Sequence, residues 1–267
     1  MTTPLDDLFV KTRAENRAAL IAYIPAGFPS IEGCKKVIQA FVEGDVDAIE
    51  IGFPYSDPVM DGPTIQAAAD KALAQGTGAQ EVFDALKVAT DSGIPSVVMT
   101  YWNPIEKYGV EKFAQAIVDH GGSGVITPDL TIEESQSWKA AVEATGINPI
   151  YVVAPSTTDA RLPQVTSRCG GFIYAASLMG VTGARATVSS GAPDLVARVR
   201  TTTDLPVAVG LGVSTREQAK GVAAYADGVI VGSAFIKALL DADDEEAGLV
   251  AVKNLASELA LGVREGR

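Results

Sequence analysis

Glu50 and Asp61 lie eleven residues apart in one segment, EIGFPYSDPVMDGP, with Asp57 between them. Two carboxylates so placed can do general acid–base work when their surroundings pull their proton affinities apart. The apolar run Ala48–Ile51 reads as a strand. Strand alternation turns Ile49 and Ile51 to one face and Ala48, Glu50 and Gly52 to the other. If the first face meets a helix layer, Glu50 points into the interior of the sheet, where a carboxylate is costly unless paired or used. No other candidate strand offers an inward Arg or Lys to neutralise it. Asp57 and Asp61 stand in a Pro- and Gly-rich turn, and loop aspartates are often turn formers. Beside an inward Glu50, one of them becomes a second functional carboxylate.

Two glycine clusters further along suit an anion. Gly210–Ser214, GLGVS, and Gly232–Ser233 each follow an apolar run, and Ser233 heads the helical stretch that continues AFIKALL. Glycine lets backbone N–H groups approach a ligand closely, and a helix start presents free N–H groups with the positive end of its dipole. A phosphate held this way needs no basic patch. Gly180–Arg185, GVTGAR, carries two glycines flanking Val-Thr, the make-up of a hinged lid and equally of a plain connector.

These segments need a scaffold that gathers them at one end. Eight apolar runs recur along the chain: Leu20–Ile24, Ala48–Ile51, Ser96–Tyr101, Gly124–Thr127, Pro149–Val153, Phe172–Ala176, Pro206–Val209 and Gly228–Val231. Amphipathic stretches separate them, among them Glu32–Glu43, Gln80–Ser92, Val110–Asp119, Glu133–Ala144, Pro193–Val199 and Arg216–Tyr225. Near-continuous apolar strands alternating with helices imply right-handed βαβ units and a parallel sheet. Eight units in 267 residues predict an α/β fold, a (β/α)8 TIM barrel, over an open doubly wound sheet. Leu5, Leu8, Phe9 and Thr12 place a capping helix before the first strand, and residues 245–263 form a last amphipathic helix. No linker divides the sequence, so residues 1–267 read as one domain.

Composition removes several classes of function. Asp plus Glu number 33 against 21 Lys plus Arg, a net charge of −12, which disfavours nucleic acid and anionic membrane surfaces as partners. One histidine, His120, and two distant cysteines, Cys34 and Cys169, argue against a metal site or a disulfide framework and for a reducing cytoplasm. The charged N-terminus is no signal peptide. The lysines lie in helical or solvent-facing stretches, except Lys107 in the loop after the third strand, so an imine mechanism lacks its amine. Any carbon–carbon cleavage must then send its electrons into the substrate, without metal, imine or cofactor.

EIGFPYSDPVMDGP resembles the signature of the tryptophan synthase alpha subunit family. The resemblance extends through AYIPAGFP, TYWNPIEKYG, PDLTIEES, YAASLMGVTGAR, GLGVS and DGVIVGSAF. It implies a lyase that splits indole-3-glycerol phosphate into indole and glyceraldehyde 3-phosphate, whose indole ring is the electron sink. It further implies Glu50 as the acid–base group and Asp61 as the partner of the indole N–H. Tyr174 would contact the indole or position Glu50, and Tyr23, Met99, Ile126 and Leu211 would wall its pocket. Gly183, Gly212, Gly232 and Ser233 would hold the phosphate, and Thr182 would meet Asp61 when GVTGAR closes. A beta subunit docking on Asp57, Pro58 and Tyr101–Tyr108 in an alpha2beta2 heterotetramer is implied as well. Thr131 stands where the family generally has Pro, and Leu178–Met179 where many relatives carry a polar or charged pair. A free-standing lyase, a non-catalytic barrel that only activates a beta subunit, and a phosphate-binding isomerase are the competing readings.

Overall fold

The computed structural model describes residues 2–176, 191–210 and 212–267. Strand-forming runs dominated by Val, Ile and Ala become β1 Ala19–Pro25, β2 Ala48–Gly52, β3 Ser96–Met99, β4 Gly124–Ile126, β5 Asn148–Ile150, β6 Val152–Val153, β7 Ile173–Ala176, β8 Val207–Gly210 and β9 Gly228–Val231. All pairings are parallel, in the order β5-β4-β3-β2-β1-β9-β8-β7-β6. The fifth apolar run is thus two short strands interrupted at Tyr151. Its first half bonds to β4 and its second to β7, so one stretch of chain closes the ring, and eight staves make the barrel.

Side chains divide by strand face. Ile49, Ile51, Val98, Val125 and Val209 pack outward with the helices, while Ala19, Ile21, Ala48, Val97, Ile126, Ile150 and Ile230 fill the interior. The lower mouth is plugged by the predicted capping helix, Pro4–Ala14. Leu5 and Phe9 enter the interior cluster, and the Phe9 ring lies 5.7 Å from that of Phe172. Thr3 caps this helix, with its own N–H donating to the Asp6 carboxylate over 2.7 Å. Asn148 Nδ2 donates to Thr3 Oγ1 over 2.9 Å and ties the plug to β5. At the same end Asp227 accepts from Arg200 and Arg267, and also from the N–H of Val207.

The helical layer follows the expected stretches with shifted ends. Glu133–Ala144 begins only at Gln136 and runs to Thr145, and the last helix spans Glu245–Glu265. Lys107, expected in a loop, lies in a short helix, Trp102–Tyr108, because β3 ends at Met99 rather than Tyr101. Helix Pro63–Ala74 was not singled out in the sequence, since the residues it buries are mostly alanines, Ala68, Ala69 and Ala72. Among the described residues no helix is long and apolar enough to cross a membrane.

Candidate active site

The upper rim, where strands end and βα loops begin, is where a barrel of this kind places its chemistry. Glu50 stands on β2 in register with Tyr23 of β1 and Val97 of β3. Ile49 and Ile51 belong to the outer layer, so Glu50 faces the interior, and only 1% of it is exposed. Its Oε2 has no hydrogen-bond partner among the described residues. Burial first, and then the nearby charge of Asp61, push its carboxyl from 4.5 up to about 8. A carboxylic acid that keeps its proton near neutral pH can donate it to a substrate.

Asp61 ends the loop between β2 and helix Pro63–Ala74. It is buried, while Asp57 is exposed and accepts a 2.6 Å hydrogen bond from Ser56 Oγ. The geometry therefore separates the two loop aspartates. Tyr101 donates from its hydroxyl to Asp61 Oδ1 over 3.1 Å and accepts from the Met60 N–H over 3.3 Å. Gln66 Nε2, on the following helix, donates to the Asp61 carbonyl over 2.7 Å. Burial pushes the Asp61 carboxyl up as well, and the Tyr101 hydroxyl opposes the rise. Because each charge raises the cost of the other, the pair favours one negative charge, and the tyrosine places it on Asp61.

Tyr101 was not foreseen in this role. It was read as the tail of a strand and as part of a docking surface. Its hydroxyl reaches a residue 40 positions away, which no local pattern announces. Its placement depends on helix Trp102–Tyr108, whose first N–H donates to both oxygens of Asp129, at 3.0 and 3.1 Å. Asp129 belongs to PDLTIEES, so that segment has a structural task at the rim.

The other expected residues distribute as follows. Tyr23 and Tyr174 are buried, and that burial first, then the charges of Glu50 and Asp61, hold both phenols well above their ordinary range. Met99 and Ile126 end β3 and β4 side by side and join the interior cluster. Gly212 follows β8 with φ of +67°, a left-handed conformation that suits glycine. Gly232 immediately precedes helix Ser233–Leu240, and Ser233 is buried at its first turn. Leu211, Thr182, Gly183, Leu178 and Met179 lie outside the described residues. Beside the rim, a groove of about 350 Å³ is lined by Phe53, Tyr55, Pro104 and Tyr108 among others, and Val59, in the loop that follows Phe53, is 70% exposed.

The comparisons with known proteins are specific. The family described as tryptophan synthase alpha chain matches residues 9–264. The chain is 54% identical to the tryptophan synthase alpha chain of Streptomyces avermitilis, over 98% of this chain and 95% of that one. To the corresponding protein of Thermobifida fusca it is 52% identical, covering 98% of both. Among solved structures it is similar to Mycobacterium tuberculosis tryptophan synthase, with TM-score 0.93, 48% identity and 99% of each chain covered. It is also similar to the alpha subunit of Legionella pneumophila, with TM-score 0.87, 32% identity and coverage of 98% and 99%.

Proposed function

The chain belongs to the tryptophan synthase alpha chain family, and from that premise we propose that Glu50 and Asp61 carry the cleavage of indole-3-glycerol phosphate here. The activity is that of a carbon–carbon lyase, and the partner is a beta subunit that receives the indole. The observation that carries the residue assignment is the Glu50 carboxyl: interior, without a hydrogen-bond partner at Oε2 among the described residues, and raised to about 8.

The steps balance without metal or imine. Glu50 gives its proton to indole C3, and the ring becomes cationic. Asp61, held ionised by Tyr101, accepts the indole N–H and faces that charge. Glu50, now a carboxylate, takes the proton of the hydroxyl on the side-chain carbon next to the ring. The bond from that carbon to C3 breaks, its electrons restore the indole, and the carbinol becomes the aldehyde of glyceraldehyde 3-phosphate. One proton enters and one leaves. Gly212, Gly232 and Ser233, with Gly183, are read as the phosphate cradle, and Tyr23, Tyr174, Met99, Ile126 and Leu211 as the indole walls. Closure of GVTGAR would bring Thr182 to Asp61. We read residues 1–267 as one barrel domain, acting in the cytoplasm within an alpha2beta2 assembly. The groove between Tyr55 and Tyr108 is read as part of the docking face.

Indole release from indole-3-glycerol phosphate, with and without a beta subunit, tests the assignment. Glu50→Gln and Asp61→Asn should each lose roughly 10²–10⁴-fold in turnover, with unchanged circular dichroism. Glu50→Gln should lose more, since Glu50 moves two protons. Turnover above a tenth of the unsubstituted rate would overturn it.

A further inference from the structure

Tyr23 stands in register with Glu50, and its side chain lies across two glycines. A Cβ at Gly52, the last residue of β2, would sit 2.4 Å from the Tyr23 hydroxyl oxygen and 2.6 Å from Cε2 and Cζ. A Cβ at Gly232, immediately before helix Ser233–Leu240, would sit 2.9 Å from Tyr23 Cδ1, 3.2 Å from Cβ and 3.3 Å from Cγ. Neither glycine has positive φ, so the backbone does not demand glycine at these positions. Space does. The far end of the phenol rests on the strand that carries the acid–base carboxylate. Its near end rests on the helix start that offers N–H groups to an anion.

We propose that Tyr23 is the residue that sets substrate length, its ring braced by Gly52 and Gly232 as a rigid spacer between Glu50 and the phosphate cradle. On this proposal the spacing should favour the three-carbon chain of an indole phosphomonoester over shorter or longer ones. A phenol suits the task because it is stiff, with two side-chain torsions, and the buried setting leaves its ring little room to tilt. It also stays neutral beside the two carboxylates. The inference rests on reading Ser233–Leu240 as the phosphate-binding helix.

The test is a double-substitution cycle read by indole release, together with a ladder of inhibitors. Gly52→Ala and Gly232→Ala should each lower kcat/KM by about 30-fold, because either forces the ring to move. In a Tyr23→Leu background the same substitutions should cost less than about threefold more, since the ring is gone. The Gly52→Ala loss should fall mainly in kcat, and the Gly232→Ala loss mainly in KM and in competition by glycerol 3-phosphate. Against the phosphate esters of indole-3-ethanol, -propanol and -butanol, the unsubstituted enzyme should prefer the three-carbon member by about tenfold. Tyr23→Leu should level that preference. Equal losses in both backgrounds, or a length preference unchanged by Tyr23→Leu, would overturn the proposal. Should Gly52→Ala fail to fold, the inhibitor ladder in Tyr23→Leu decides. Failure of glycerol 3-phosphate to compete with the unsubstituted enzyme would instead overturn the phosphate-helix reading.

Discussion

Glu50 keeps a proton that an exposed glutamate would have lost, and this links catalysis to stability. Its carboxyl is raised from 4.5 to about 8. Below the lower value folded and unfolded chains both hold the proton; between the two values only the folded chain does. Stability therefore falls as pH rises through that window. Glu50→Gln should remove this slope, and denaturant unfolding should show the variant gaining on the parent between pH 5 and 8.5; parallel curves would refute the link. In the parent, kcat/KM should decline above an apparent pKa near 8 as the acid is lost. Asp61 governs the other limb, since it must be ionised. Tyr101→Phe removes the hydrogen bond that holds Asp61 down, so the acidic limb should move up by about one pH unit, roughly 1.4 kcal/mol. A profile that drops in height without shifting would make Tyr101 a packing residue only. Glu50 could be singled out in the sequence because strand alternation fixes its direction from its neighbours alone. Tyr101 could not, because its task is defined by a loop from another βα unit.

Elements show the same division. β9 was legible from its continuous Val and Ile run, β2 from Ile49 and Ile51 flanking Glu50, and Val110–Asp119 from its marked amphipathic stripe. Helix Pro63–Ala74 hid behind small side chains, and the start of Gln136–Thr145 was misplaced because Glu133 and Glu134 lie in a turn before the helix. The phosphate proposal belongs to this scale, since it assigns the holding to a helix start and a left-handed glycine. Gly212→Asp would force a side chain into φ of +67° and bring a negative charge to the cradle, so substrate affinity should fall by about 2–4 kcal/mol. Ser233→Ala should cost only about 1 kcal/mol, one hydrogen bond. Inhibition by glycerol 3-phosphate reports both. Equal losses for the two variants would mean that side chains rather than backbone bind the anion.

At the scale of the whole molecule, the two barrel ends carry opposite electrostatics. The upper rim holds carboxyls whose affinity for protons is raised. At the lower end burial works against Asp227, but the Val207 N–H and Arg200 and Arg267 outweigh it and lower its carboxyl below the ordinary value. The proposed chemistry lies at the rim, and the proposed docking face adjoins it. An isolated chain should cleave slowly and gain about 10–100-fold with a beta subunit, roughly 1.4–2.8 kcal/mol of barrier. Steady-state indole release at increasing beta subunit measures the gain, and a rate indifferent to the partner would mark a free-standing lyase. The barrel itself was legible from eight alternating runs, but the break at Tyr151 was not, because Pro149–Val153 reads as one unbroken apolar run. That break has a consequence in time. Asn148–Ile150 is laddered only to β4 and Val152–Val153 only to β7, so each side of the ring can zip up from neighbours close in sequence without waiting for the other. The β1–β9 ladder, which joins Ala19 to Gly228, must instead wait for nearly the whole chain to be in place. Folding should therefore proceed as two arcs growing on either side of Tyr151, with the seam between the first and last strands sealing last, and pulse-labelled hydrogen exchange should show the β1 and β9 amides gaining protection after those of the other strands.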